Sequence, residues 1–295
     1  MILVTGGNGY VGRALCQRLA REGRDVASVS RKEYDTQDYP SLVGDVTDPA
    51  SLEAIFTQYP VEAVVHLASL LNTASRKNPD QAVRVNVVGT LNLMELCRDR
   101  GVKRFVFGSS FNAIGSRPNS TETCDESVPS LPSEFYGETK RFVEQLGISL
   151  ADLGAFEFAS ARMTVIVGPG EPSRTSAWRT DMFNLLRTGG NIHIAFAPTV
   201  VVPLAHYEEI AATLAVLVQA EALRNRIYHL PNESWLVSDL AEMVEEIGND
   251  LRVECGDRAL EGIPAFVSWE RLREEFRFEA VPLRDRLLDY REESG

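Results

Sequence analysis

An α/β fold is predicted for this 295-residue chain: a doubly wound parallel sheet with helices on both faces, then a small C-terminal α/β lobe. Three observations predict it. Residues 1–160 alternate short apolar runs with helical patterns. A glycine-rich turn, Thr5-Gly6-Gly7-Asn8-Gly9-Tyr10-Val11-Gly12, directly follows the first apolar run, Ile2-Leu3-Val4. Beyond Gly168-Pro169-Gly170 the alternation loosens. Regular strand–helix alternation places strands parallel and covers both faces of the sheet.

The elements follow in order. Ile2–Val4 is the first buried strand and residues 14–20 a helix. Residues 25–30 form the second strand and residues 42–46 a short third. Asp48 then caps a helix with Pro49 at its first position. Residues 61–67 are the fourth strand. Asn78-Pro79 opens a helix that runs through Leu91 and Cys97 to Gly101, and residues 103–109 are the fifth strand. The Ser-, Pro-, Thr- and Glu-rich stretch 111–133 reads as a long loop. A helix then carries Tyr136 and Lys140 to about Leu153. Residues 156–163 are the sixth strand. In the remainder, helices are expected at 176–187, 207–220 and 237–247, strands at 191–195 and 227–230, and a surface helix from Arg284 onward. The division is residues 1–168 for the sheet domain and 169–295 for the lobe, with segments of the lobe free to return to the main sheet.

Composition narrows the chemistry. The hydrophobic share of 44% suits a globular core. With 30 basic and 42 acidic residues the net charge is −12, which disfavours general electrostatic binding to nucleic acid or anionic membrane. The longest apolar stretch, near residues 210–218, is too short to span a bilayer. Cys16, Cys97, Cys124 and Cys255 are widely separated and form neither a metal spacing nor a disulfide framework. No basic leader precedes the first strand, and a cytoplasmic location is expected.

The glycine turn implies a ligand. Gly6, Gly9 and Gly12 permit a tight turn and close backbone approach, and the following helix offers free N–H groups and the positive end of its dipole to phosphates. Its spacing, G-x-x-G-x-x-G, departs from the G-x-G-x-x-G dinucleotide fingerprint, but its place at the start of a βαβ pattern agrees. Ligands in open α/β sheets bind beyond the C-terminal strand ends. Gly6–Gly12, His66-Leu67-Ala68-Ser69, Ser109-Ser110 and the start of the Tyr136 helix all fall on that rim. Tyr136 and Lys140, four residues apart, share a helix face. A phenol normally keeps its proton to near pH 10, so a neighbouring ammonium and a positive nicotinamide ring would make it an acid/base group near neutrality. Ser110 would bond the substrate oxygen. His193 and His206 stand in apolar contexts and read as structural.

Taken as an ordered set, these motifs resemble an extended short-chain dehydrogenase/reductase of the NAD-dependent epimerase/dehydratase family, with a Rossmann-type domain. The set is T-G-G-x-G-Y-V-G, Gly44-Asp45-Val46-Thr47-Asp48, His66-Leu67-Ala68-Ser69, Asn86-Val87-Val88-Gly89-Thr90, Ser109-Ser110, Tyr136-x-x-x-Lys140, and Arg162 through Gly168-Pro169-Gly170. The resemblance implies that Tyr136 is the acid/base, that Lys140 binds the nicotinamide ribose and that Ser110 binds the substrate oxygen. It implies cofactor contacts from Gly6, Asn8, Gly9, Tyr10, Val11 and Gly12, from Ser30 and Arg31, from Asp45 and Val46 at the adenine, and from Leu67, Ala68, Ser69 and Ser109. The backbone after Arg162, at Met163 and Val165, would lie against the nicotinamide. Asn86 matches a position near the cofactor, with helix capping or loop bonding as its alternative. Relatives commonly form homodimers through the two helices bearing residues 86–97 and 136–153; Val88, Leu91, Leu93, Phe142, Val143 and Leu146 would allow this, although the same pattern serves the core.

Departures from the pattern narrow the reaction. Family dehydratases carry an Asp-Glu pair where this chain has Phe111-Asn112, so dehydration is not expected. NAD-preferring members usually carry Asp at the end of the second strand; here Ser30-Arg31-Lys32 stands, which suits a 2′-phosphate and favours NADP over NAD. Ser69, Ser110, Phe111, Asn112, Arg174 and Trp178 are the expected substrate residues, with Arg179 as a second arginine in the same segment. The stretch around Ser110-Phe111-Asn112 with Arg174 and Trp178 is weakly similar to uronate dehydrogenases, in which one arginine would hold a sugar carboxylate. The expected substrate is a sugar, sugar acid or nucleotide sugar. The alternatives are a sugar-acid dehydrogenase, a nucleotide-sugar 4-epimerase and, from a different class, a non-catalytic NADP-binding regulator.

Overall fold

Seven parallel strands form the central sheet of the computed structural model, which describes residues 1–117, 120–171 and 176–293. In chain order the strands are β1 (Ile2–Thr5), β2 (Val26–Ser30), β3 (Ser41–Val43), β4 (Ala63–His66), β5 (Arg104–Ser110) and β6 (Glu157–Met163), then β7 (Val165–Val167), β8 (Gly190–Phe196), β9 (Val201–His206), β10 (Ile227–His229), β11 (Glu233–Leu236) and β12 (Leu251–Arg258). The sheet runs β10-β6-β5-β4-β1-β2-β3. The order reverses beside β1, so the crevice expected at the switch point lies over the glycine turn.

Local chemistry explains the elements. The sheet strands are buried on both faces: all of Ala63–His66 and nearly all of Arg104–Ser110 are covered. One apolar cluster, including Val4, Leu15, Leu19, Val65 and Leu214, fills the space on one side. A second, including Leu3, Leu52, Leu93, Phe105 and Phe158, fills the other. The Asp48 side chain accepts from Ala50 N, with Pro49 at the first helical position, as the sequence predicts. The helix expected from Asn78 to Gly101 is present but not uniform. It begins as Pro79–Ala82, passes through a π-helical stretch at Val83–Gly89 and continues as Thr90–Asp99. Such π segments recur at functional sites, and hydrophobic periodicity does not reveal them.

Residues after 168 serve both parts of the molecule. The helix Tyr207–Gln219 packs on the main sheet through Ile210, Leu214 and Leu217, and β10 extends that sheet beside β6. The rest forms a smaller lobe of two sheets, β11-β9-β7 and β12-β8, around a core that includes Trp178, Phe183, Val202, Leu240 and Leu287. The last helix, Leu283–Glu293, lies on the surface as expected, with Arg284, Asp285 and Asp289 exposed, and is anchored along one face. Leu287 is fully buried, and Arg286 pairs with Glu208 and Glu209 of the helix Tyr207–Gln219. No helix among the described residues is long and apolar enough to cross a membrane.

Candidate active site

A cavity of about 810 Å³ opens over the C-terminal ends of the central strands and is closed from above by the small lobe. One end begins at the glycine turn. Gly6 has a φ of +68°, and a Cβ there would lie 2.8 Å from Ala68 N. A Cβ on Gly12 would lie 2.7 Å from Gly7 Cα. Only glycine admits this tight packing of turn, helix and neighbouring strand end. The helix Tyr10–Arg21 starts there with no side-chain cap on its first N–H groups, and Gly9, Tyr10, Val11 and Gly12 line the cavity. A pyrophosphate fits such a cradle.

The sequence-predicted residues separate into those on the wall and those behind it. Gly6, Gly9, Tyr10, Val11, Gly12, Ser30, Arg31, Asp45 and Val46 line the first end. Leu67, Ala68, Ser69, Ser109, Ser110, Asn112, Tyr136, Met163 and Val165 line the middle and far end. Asn8 is tied behind the wall: its amide bonds the Ser30 and Ser41 hydroxyls and accepts from Ser28, locking the glycine turn to the end of β2. Asp45 uses a carboxylate oxygen to accept from the Thr47 N–H and hydroxyl, both at 2.8 Å, which shapes the loop after β3.

The chemistry concentrates at Tyr136. Its residue is 7% exposed, and burial pushes its phenol up to about 12. Lys140 lies behind it, 3% exposed, with Nζ donating to the Gly108 carbonyl at 2.7 Å. The ammonium is 4.6 Å from the centroid of the Phe107 ring and 5.6 Å from that of Tyr136. Burial brings Lys140 down to about 7, while Glu144, one further turn along, opposes the fall. Glu144 is itself fully buried. It accepts from Ser109 at 2.6 Å, Ser160 at 2.8 Å and Arg162 at 2.9 and 2.7 Å, which pins the tyrosine helix to β5 and β6. Arg162 is therefore an ion-pair residue. His66, between Thr5 at 2.6 Å and Thr90 at 2.9 Å, is held neutral, brought down to about 3 by burial and then by the Lys140 charge.

Three further expected residues stand off the wall. Asn86 is 2% exposed and bonds a loop: its Oδ1 accepts from Leu70 N at 2.7 Å and Ser69 Oγ at 3.1 Å, and its Nδ2 donates to Leu70 O at 3.0 Å. The loop-bonding alternative is the one the geometry matches. Phe111 is fully buried, packed with Ile114, Ile263 and Val267 and edge-on to His229, so its ring does not reach the cavity. Trp178 belongs to the lobe's core. Arg174 lies outside the described residues. Arg179, the residue after Trp178 and the second arginine expected in the segment, lines the wall. Its Nε has no hydrogen-bond partner among the described residues, and burial lowers its basicity. The two histidines expected to be structural differ: His206 is buried against Phe183 and Tyr207, while His193 is exposed on β8.

Sequence reasoning missed several wall residues. Asn72, Gln81 and Arg84 enter from the segment after β4, and Phe196, Leu260, Glu261 and Ile263 descend from the lobe. No local motif marks them, because crossings between distant segments place them.

A family model described as NAD dependent epimerase/dehydratase family matches residues 2–230. Among curated relatives, a UDP-glucose 4-epimerase of Yersinia pestis is 35% identical over 167 residues, covering 51% of this chain and 49% of the relative. A UDP-glucuronate 4-epimerase of Thermodesulfobacterium geofontis is 31% identical over 188 residues, covering 58% and 57%. The chain spans about half the length of the curated relatives it matches. Among solved structures, a GalE-like L-threonine dehydrogenase from Cupriavidus necator in its holo form superposes with a TM-score of 0.89 at 19% identity, covering 100% of this chain and 99% of the other. A Thermus thermophilus UDP-glucose 4-epimerase in complex with NAD gives 0.83 at 21%, covering 99% of both. At these identities the likeness establishes the fold.

Proposed function

The chain belongs to the NAD-dependent epimerase/dehydratase family, and from that premise we propose that it is an NAD(P)-dependent oxidoreductase acting on a secondary alcohol or ketone of a sugar-type substrate. One observation carries the reading: the Tyr136 phenol opens into the same cavity as the glycine cradle, with the Lys140 ammonium buried directly behind it. Nicotinamide, when bound, supplies the hydride acceptor or donor. Tyr136 takes the proton from the alcohol oxygen as the carbon loses hydride, and returns it in the reverse direction. The Lys140 ammonium, 5.6 Å from the ring centroid, favours the phenolate, against the burial that holds the phenol protonated. Ser110 and Ser69 fix the reacting oxygen at the phenol. Neither Phe111 nor Asn112 supplies a carbon acid or base, so the reading is redox without dehydration.

Finer features belong to the same proposal. Arg31 and Ser30 on the wall, with no carboxylate at the end of β2, favour NADP over NAD. An Arg179 Nε with no hydrogen-bond partner among the described residues favours a substrate with an anionic group, and so a sugar-acid dehydrogenase over a nucleotide-sugar 4-epimerase. Val83, Val88 and Phe142 are exposed on the adjoining helices, which supports a homodimer through that face, whereas Leu93 and Val143 are core. Buried Cys16, Cys97 and Cys124 suit a reducing cytoplasm.

The test is a panel of D-glucuronate, D-galactose and UDP-glucose with NAD and NADP. Net cofactor reduction with D-glucuronate is expected. Tyr136→Phe should abolish turnover by about a thousandfold or more while cofactor affinity changes less than about twofold. Equal rates for wild type and Tyr136→Phe would remove the tyrosine from the reaction. Epimerised UDP-glucose with no net change in the cofactor would select the epimerase.

A further inference from the structure

The glycine turn brings no charge to the ligand it cradles. Residues 5–12 contain neither lysine nor arginine, so an anion seated there meets only N–H groups. Among the described residues, the cations on the cavity wall are Arg31, Arg84 and Arg179. Arg31 follows β2, and Arg179 belongs to the lobe. Arg84 stands on the other bank of the crevice. The helix Tyr10–Arg21 covers one face of the central sheet through Leu15 and Leu19, whereas the helix Thr90–Asp99 covers the opposite face through Leu93 and Cys97. The π-helical stretch Val83–Gly89 and the turn before it extend this second helix to the cavity. Gln81, Arg84 and Val85, spaced as one helical face, line the wall from there.

That stretch is pinned on both sides of the glycine turn. In the sheet, β1 lies between β4 and the pair β2-β3. Asn86 is bonded to Leu70 in the loop after β4, at 2.7 and 3.0 Å. In the loop after β3, the Val46 carbonyl accepts from Asn92 Nδ2 at 3.2 Å, and a Cβ on Gly89 would lie 2.7 Å from Val46 Cγ2. The backbone at Arg84 is therefore held across from the end of β1, while its guanidinium is uncommitted. It is exposed and pairs with no carboxylate among the described residues, not even with Asp80 one turn before it. Asp45, the carboxylate at this end of the cavity, is turned to Thr47 instead.

We propose that Arg84 is a cofactor-binding residue, the cation that meets the dinucleotide's pyrophosphate from the bank opposite the glycine turn. The assignment rests on the dinucleotide site of the function proposed above and deepens it. A pyrophosphate bridge carries one negative charge on each phosphate. The turn can bond those oxygens but cannot neutralise them. A guanidinium supplies both the charge and a fork of donors. NAD and NADP share this bridge, so Arg84 serves both, whereas Arg31 is placed for the 2′-phosphate that only NADP carries.

The test measures binding and needs no turnover. Dissociation constants of adenosine, ADP, NAD and NADP are read by calorimetric titration for wild type, Arg84→Ala and Arg84→Lys, at low and at high salt. Arg84→Ala should weaken ADP, NAD and NADP each by about tenfold and leave adenosine within about twofold. Arg84→Lys, which keeps the charge without the fork, should recover part of the loss. The gap between wild type and Arg84→Ala should narrow at high salt, because the guanidinium is exposed. Unchanged ADP affinity in Arg84→Ala overturns the proposal. So does an equal loss for adenosine and ADP, which would mark a packing role, and so does a loss confined to NADP, which would place Arg84 at the 2′-phosphate. Weakened binding of D-glucuronate or UDP-glucose with ADP unchanged would assign the cation to substrate and overturn it as well. Failure of the functional reading is distinguishable. Wild type that binds NADP but oxidises no sugar leaves the Arg84 result standing, and wild type that binds none of the four ligands overturns both.

Discussion

The two ends of the cavity are made of different material. Under the glycine turn the wall is largely backbone, and the side chains that accompany it, Arg31 and Arg84, are exposed and charged. At Tyr136 the wall is side chain, and its ionisable groups have been stripped of water: the phenol is pushed up, the lysine behind it brought down, and His66 held neutral. Bare N–H groups and solvated cations hold phosphate with little penalty to the fold. Desolvated groups with opposed shifts are suited to moving protons and carry a penalty in stability. One end of the cavity is thus suited to holding an anion and the other to moving protons.

That contrast can be broken or sharpened by experiment. The largest effect expected is on acid stability. Burial brings His66, His206 and His229 each down to about 3, against an ordinary value of about 6.5. Between those values the unfolded chain binds protons that the folded chain refuses. Stability is therefore fully present above pH 6.5 and is lost as pH falls toward 3, by up to about 1.4 kcal/mol per pH unit for each histidine. Unfolding free energies from urea titrations at pH 7 and pH 5 should differ by several kcal/mol, and His66→Gln should flatten the slope; equal values would mean the histidines are not held neutral. Next comes Lys140→Met. Loss of the charge behind the phenol should cut kcat by about a hundredfold and move the rising limb of alcohol oxidation to higher pH, with cofactor affinity little changed. A large loss of cofactor affinity instead would assign Lys140 to binding rather than to chemistry. The smallest effect belongs to the solvated end. Arg31→Ala should weaken NADP by about tenfold and leave NAD within about twofold, measured by fluorescence titration, because a screened cation contributes little more than one charge-assisted bond. If both weaken equally, Arg31 recognises the shared pyrophosphate and not a 2′-phosphate.

The same contrast explains how much was legible in the residue string. The glycine turn and the Tyr136–Lys140 pair are local: each needs only a few consecutive residues and a helical period, and the structure places them where that period predicts. Trp178 and Arg179 show where local reading stops. Consecutive helical residues point about 100° apart, so choosing between them requires knowing which way the helix Trp178–Asn184 faces, and only packing of the lobe decides that. Asn86 had the right neighbourhood and two readings, and the π-helical stretch that carries it leaves no hydrophobic signature to choose the loop-bonding one that the geometry matches. Phe196, Glu261 and Ile263 were invisible because the fold brings them to the wall from beyond Gly170, where the last motif ends.

The parallel partner of β6 carries one more consequence. β10 arises from residues 227–229, after much of the small lobe has been threaded, and it seals the edge of β6 with Leu230 N donating to Arg162 O. Until that stretch emerges from the ribosome, the half that carries the glycine turn has an open β-edge beside a half-built hydrophobic layer. Completion of the sheet is therefore a late, long-range event. A truncated chain ending before residue 227 would retain every signature motif and still lack the strand that keeps its sheet from pairing with a stranger.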